Sequence, residues 1–185
     1  MKVSLLIIGL QLTVFLLKAQ TASYLPSNII GQRAPNFETV TLDGDSVSLS
    51  GLKGKVVVLS FWHLRCGACW LEVPDFNKLR AEYDGKIEVI SVTLDAEKAL
   101  WERFSKTDKG YKMNRAFNGN SEFNYTILPN GEAIAEAYSF TAYPTTFYIN
   151  QEGVIGSILP YYMSYEGSGM KTNYEWMKEA IERML

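Results

Sequence analysis

"VVVLSFWHLRCGACWLEVPDF", residues 56–76, decides how this chain is read. Its first seven residues, Val56 to Trp62, show no polar alternation, which predicts a central strand buried on both faces. Its second half begins a different period. Apolar residues fall at Cys69, Val73 and Phe76 and continue at Leu79 and Tyr83, the spacing of one helical face, and Gly85 ends it. Pro74 sits inside that helix and removes one backbone hydrogen bond, so a kink is expected there. Between strand and helix stand the two cysteines of the chain, Cys66 and Cys69.

The N-terminus sets the redox environment of those thiols. "MK" precedes an apolar run, Val3 to Leu17, and "KAQTA" follows with small residues suited to cleavage after Ala19 or Ala22. That layout is a secretory signal peptide over residues 1–22, shorter than the roughly 20 apolar residues of a membrane span. Residues 23–185 then form a single domain, exported to the periplasm or cell envelope, or tethered there if the segment is not cleaved. With no cysteine near the cleavage site, a lipid-modified N-terminus is excluded. Export places the thiols where disulfides can form.

The cysteine count argues for reactivity. A small secreted scaffold held by disulfides carries four to eight cysteines. A bridge closing so short a loop stabilises by only about 2 kcal/mol. Hydrophobic residues make up 47% of the chain, enough for a core without it. The 18 basic and 20 acidic residues nearly balance and form no basic stripe, so nucleic acid is not expected as a partner.

Outward from the cysteines, strands alternate with helices. Phe37 to Leu42 and Ser46 to Leu49 read as a hairpin around "DGD", and Lys86 to Leu94 as the next strand. Leu100, Trp101 and Phe104 predict a helix over Ala96 to Lys106. Thr107 to Phe123 reads as loop with a helical turn. Asn124 to Leu128 reads as a strand and Glu132 to Tyr138 as a short helix. Thr145 to Ile149 and Gly153 to Leu159 form a hairpin, and Tyr174, Met177, Ile181 and Met184 mark a last amphipathic helix. The order specifies an α/β sandwich with a mixed sheet. Cys66 falls at the start of the first helix, where unpaired N–H groups and the helix dipole favour a thiolate, and Arg65 adds to the effect. Cys69, one turn on, can reach back as the resolving thiol.

"SFWHLRCGACWLEVPDF" resembles the active-site segment of the thioredoxin superfamily, in its TlpA/ResA-like branch of exported thiol–disulfide oxidoreductases. "GQRAPNFETVTLDGDSVSLSGLKGKVVVLSFW" and "AEAYSFTAYPTTFYINQEGVIG" are similar to other segments of that branch, so the resemblance runs from about Gly31 to Gly156. It implies a thioredoxin-like sandwich, a mixed central sheet flanked by helices, with an extra N-terminal β-hairpin. It also implies a redox disulfide between Cys66 and Cys69, and Pro144 as the cis-proline that leaves the Tyr143 backbone free for a substrate strand. Glu72 becomes the active-site carboxylate acting on Cys69, with an ordinary helix-surface carboxylate as the alternative. Beside the resemblance, Arg65 on the rim and Trp62, otherwise a packing residue, are candidates for further substrate contacts. The reaction needs no cofactor or metal. The implied partners are protein disulfides or thiols, apocytochrome c among the family's clients, and a membrane thiol electron donor; the chain is expected to be a monomer. Three positions depart from relatives: Ser60 where cytosolic thioredoxins carry a buried aspartate, Arg65 where a tryptophan is usual, and Ala68 where a proline is usual.

Other readings compete. Zinc would need two further ligands and only His63 is at hand. Haem attachment would need a histidine where Trp70 stands. A peroxiredoxin-like thiol peroxidase would carry threonine at the position of His63, and a redox-inactive binding module would use only the Tyr143–Pro144 edge. His63 itself is expected to be solvated, with a role in tuning Cys66 as the alternative. The sequon at Asn124 carries no weight.

Overall fold

The computed structural model describes residues 29–117, 120–160, 162 and 172–185. The expected signal peptide, residues 1–22, lies outside them. In chain order the elements begin with β1 (Glu38–Val40), β2 (Ser46–Ser48), β3 (Val56–Trp62) and α1 (Gly67–Glu82). Next come β4 (Ile87–Thr93), α2 (Glu97–Trp101), β5 (Phe104–Thr107), β6 (Gly110–Phe117), β7 (Asn120–Phe123) and β8 (Thr126–Leu128). The chain closes with α3 (Glu132–Tyr138), β9 (Thr145–Ile149), β10 (Ile155–Pro160) and α4 (Asn173–Glu182).

β3 is buried at every residue, as its unbroken apolar run predicts, and it occupies the middle of a central sheet ordered β10-β9-β3-β4-β8. β4 runs parallel to β3 and β9 antiparallel, so the sheet is mixed. β1 and β2 form the separate N-terminal hairpin. Successive residues of β3 point to opposite faces, and the core divides accordingly. Val56, Val58 and Trp62 pack with α1 and α4 residues, whereas Val57, Leu59 and Phe61 pack with Tyr138 of α3. Each large side chain taken fully out of water there contributes about 1.5–3 kcal/mol. α1 continues through Pro74 to Glu82; the Tyr83 N–H bonds the Leu79 carbonyl and Gly85 turns the chain at positive φ. A capping box between Thr172 and Glu175 starts α4 where its apolar stripe predicts a helix.

Residues 96–123 correct the sequence reading. The helix expected over Ala96 to Lys106 stops at Trp101, and the expected loop is a second antiparallel sheet, β5-β6-β7. Phe104 pairs with Met113 and Lys106 with Tyr111. Inward Tyr111 alternates with outward Lys112 and Asn114, the period of a strand and not of a helix. Gly110 is obligatory in the turn, because a Cβ there would collide with the Phe123 carbonyl. The small sheet docks on α1 through Asn77. Its side-chain amide donates to the Glu122 carbonyl (2.8 Å) and its oxygen accepts from the Asn124 N–H (2.9 Å), which caps an otherwise open edge.

Candidate active site

Cys66 is the N-cap of α1. Its Sγ accepts the Cys69 N–H at 3.2 Å, its own N–H donates to the His63 carbonyl at 2.9 Å, and it is disulfide-bonded to Cys69. The Cys69 N–H, which also reaches the Cys66 carbonyl at 3.2 Å, is therefore aimed at sulfur, the arrangement that stabilises a thiolate once the bond is reduced. Both cysteines are largely buried, Cys66 at 8% exposure and Cys69 at 5%.

The second half of the site arrives with β9. The Tyr143–Pro144 bond is cis, and Thr145, the next residue, pairs with Phe61 near the end of β3. Pro144 is thereby set against the loop that leads into Cys66. His63 closes the gap: its ring meets Tyr143 edge-on at 5.0 Å between centroids, and Tyr143 meets Phe140 in the same way at 5.2 Å. His63 Nδ1 accepts the Arg65 N–H at 3.2 Å. The expectation of a solvated His63 is corrected, since the imidazole is half-buried against the aromatic it helps to orient. Arg65 is exposed.

Trp62 is also corrected. It is 4% exposed, edge-on to Trp70 at 5.4 Å and beside Phe123 at 5.5 Å. Phe104 and Phe123 of the small sheet complete this aromatic wall, so Trp62 supports the cysteine helix from beneath and offers substrate no surface.

Glu72 is buried far more deeply than its place on a helix suggests, at 1% exposure, and among the described residues its Oε2 has no hydrogen-bond partner. Burial pushes its carboxyl well above the ordinary range, and the neighbouring Asp75 adds to the rise. Burial also raises Asp75 to about 6, against the pull of Lys78. Glu72 and Asp75 thus both hold a proton more readily than ordinary carboxyls, and Glu72 lies on the same buried stripe as Cys69, three residues along.

One residue escapes the sequence reading. Asp95 Oδ2 accepts the Leu64 N–H at 2.6 Å and the Thr93 hydroxyl at 2.7 Å, while the Asp95 carbonyl accepts the Asn130 N–H at 3.1 Å. It ties the loop before Cys66 to β4 and to the start of α3. The available signal was its place just past the C-terminal end of a parallel strand, where α/β sheets hold functional groups. Asp95→Ala is expected to lower stability by about 1.5–3 kcal/mol, the range for hydrogen bonds to a charged group. Asp95→Asn, which keeps an oxygen acceptor, should lose less. Urea denaturation of both variants measures the difference.

The sequence profile of the AhpC/TSA family matches residues 30–158. The chain belongs to that family. The thioredoxin-like protein YneN of Bacillus subtilis is 36% identical over 128 residues, 69% of each chain. The thiol-disulfide oxidoreductase ResA of Bacillus anthracis is 33% identical over 128 residues, 68% of this chain and 66% of that one. This AhpC/TSA chain spans about two thirds of the length of the curated relatives it matches. Among solved structures, the DsbE-type thiol:disulfide interchange protein of Chlorobium tepidum superposes with a TM-score of 0.66 at 23% identity, covering 84% of this chain and 96% of that one. The exposed lipoprotein thioredoxin Etrx1 of Streptococcus pneumoniae gives 0.57 at 24% identity, covering 80% and 99%. Those neighbours establish the thioredoxin-like fold. With its ResA-like relatives, the chain is a thiol–disulfide oxidoreductase, and the redox-inactive binding module is set aside.

Proposed function

We propose that the protein is an exported reductase of protein disulfides. The observation that carries this reading is the cysteine pair at the start of α1, with the Cys69 N–H directed at Cys66 Sγ. In the reduced enzyme the Cys66 thiolate attacks one sulfur of a substrate disulfide. The substrate bond breaks, its other sulfur leaves as a thiolate that takes a proton from solvent, and a mixed disulfide forms. Cys69 then gives its proton to the Glu72 carboxylate and attacks Cys66 Sγ. The Cys66–Cys69 bond forms, the mixed bond breaks, and the second substrate sulfur departs as a thiolate that takes a proton from solvent, while Glu72 gives up the Cys69 proton to solvent. Two electrons have passed to the substrate, and a membrane thiol donor returns them to the enzyme. The Tyr143 backbone beside Pro144 holds an extended substrate, and Arg65 makes the rim cationic.

Export rests on the sequence of residues 1–22; among the described residues no helix is long and apolar enough to cross a membrane. Trapping tests the whole reading. Cys69→Ala, expressed in the native host with its N-terminal segment intact, should accumulate adducts with envelope proteins that dithiothreitol releases. The same adducts should be missing when Cys66 is also replaced by serine. Capture that persists in the double variant would defeat the proposal.

A further inference from the structure

Glu72 does not stand alone beneath the cysteines. Thr146 Oγ1 and the Tyr148 hydroxyl are also fully buried without a hydrogen-bond partner among the described residues. Strand periodicity sets Thr146 and Tyr148 on one face of β9. It is the face under α1, because Tyr148 packs in the cluster of Cys69, Val73 and Phe76, whereas Phe147 and Ile149 pack in the opposite one. The register widens this polar seam. Thr146 lies directly across from Ser60, and Ser60 across from Ser91, so three buried hydroxyl residues stand side by side on neighbouring strands. The row begins two residues past Pro144 and meets the helix face that carries Cys69 and Glu72.

A buried hydroxyl left unpaired bears its whole desolvation penalty, and valine or phenylalanine would fill the same space without one. Buried groups of this kind are commonly satisfied by internal solvent, and a carboxyl with two hydroxyls supplies the two to four polar partners such a molecule requires. We propose that Thr146 and Tyr148 are positioning residues for the resolution step, holding Glu72 through internal solvent in the orientation from which it accepts the Cys69 proton. The inference rests on the reductase reading given above. No co-reactant is added: the proton moves from Cys69 Sγ to the Glu72 carboxylate as the Cys66–Cys69 bond forms and the bond to substrate breaks.

The surrounding charges favour this role. The titratable groups facing Glu72 are Asp75 on its own helix, with Lys78 facing Asp75 in turn, Tyr148 from β9 and Tyr125 from the segment before β8. Burial first, and then Glu72, push both phenols well above their ordinary range, so they remain donors throughout the working pH range. Above about pH 6 Asp75 is charged and opposes ionisation of Glu72. The hydroxyls are then the groups that stabilise the carboxylate form.

Rapid-quench kinetics of the full chain with insulin as the disulfide probe, followed against pH, test the network. In Tyr148→Phe, resolution near neutrality should slow about tenfold. Its pH midpoint should move up by about one unit, while attack by Cys66 keeps its parental rate. Thr146→Val should behave alike, and Thr146→Ser should restore the parental profile. A Tyr148→Phe variant with higher melting temperature and an unmoved midpoint would show an orphan hydroxyl and overturn the inference. So would Thr146→Ser behaving like Thr146→Val. If the parent forms no mixed disulfide at all, the reductase reading has failed; if it forms one and the variants resolve it normally, only the network has.

Discussion

Cys66→Ser is expected to bring disulfide reduction down to the uncatalysed background. The attacking species must be a thiolate, and a serine hydroxyl stays protonated in the same place. The N-cap geometry does not compensate. It supplies the Cys69 N–H and the positive end of α1 to whatever atom sits there, and these stabilise an anion only where one can form. Cys69 cannot substitute, because it is more deeply buried and lies one turn inside the helix beside Trp70. Turbidity of insulin supplied with dithiothreitol measures the loss. Equal turnover in the variant would remove Cys66 as nucleophile, and peroxide-dependent turnover of comparable rate in the parent would favour the peroxidase reading.

The parts of the fold legible in the sequence are those whose signal is local. β3 shows as an unbroken apolar run, α1 and α4 as apolar stripes, and the hairpins as alternation around turn residues. Their burial then follows the pattern residue by residue: Cys69, Val73, Phe76 and Leu79 in α1, Met177 and Ile181 in α4. Residues 104–123 were not legible because their sheet gains its stability from distant partners. Phe104 and Phe123 find their places against Trp62 and Trp70, and the edge of β7 is completed by Asn77, 45 residues back in the chain. Short strands with lysine and asparagine on the outward face carry little signal until that surface exists. The site divides in the same way. The cysteine spacing and "YPTTF" announce the redox pair and Pro144. Asp95 carries no motif, and its role depends on the Leu64 N–H reaching it from the loop that follows β3. The depth of Glu72 is equally a tertiary fact, set by the β-sheet that α1 covers.

That depth makes Glu72→Gln the most informative single substitution. Glu72 is buried and its carboxyl is held well above the ordinary range, so the folded protein keeps a proton that the unfolded chain releases near its ordinary pKa. Between those two values the native state binds more protons than the unfolded one, and stability falls as pH rises. The slope from one such group is about 1.4 kcal/mol per pH unit, ending at the folded pKa. Glutamine does not titrate. The variant should therefore gain on the parent as pH rises through this window, in chemical denaturation of the oxidised proteins. Asp75, raised in the same direction, contributes a slope common to both proteins and cancels in the comparison. Catalysis should move the opposite way. Glutamine cannot accept the Cys69 proton, so resolution is expected to slow about a hundredfold and mixed disulfide to accumulate, while attack by Cys66 stays near the parental rate. Rapid quench separates the two steps. A surface carboxylate would give parallel stability curves and parental rates in both steps. A merely structural buried carboxyl would alter the curves and leave resolution untouched. Only a proton acceptor for Cys69 produces a variant that gains on the parent as pH rises and is slower in the second step alone.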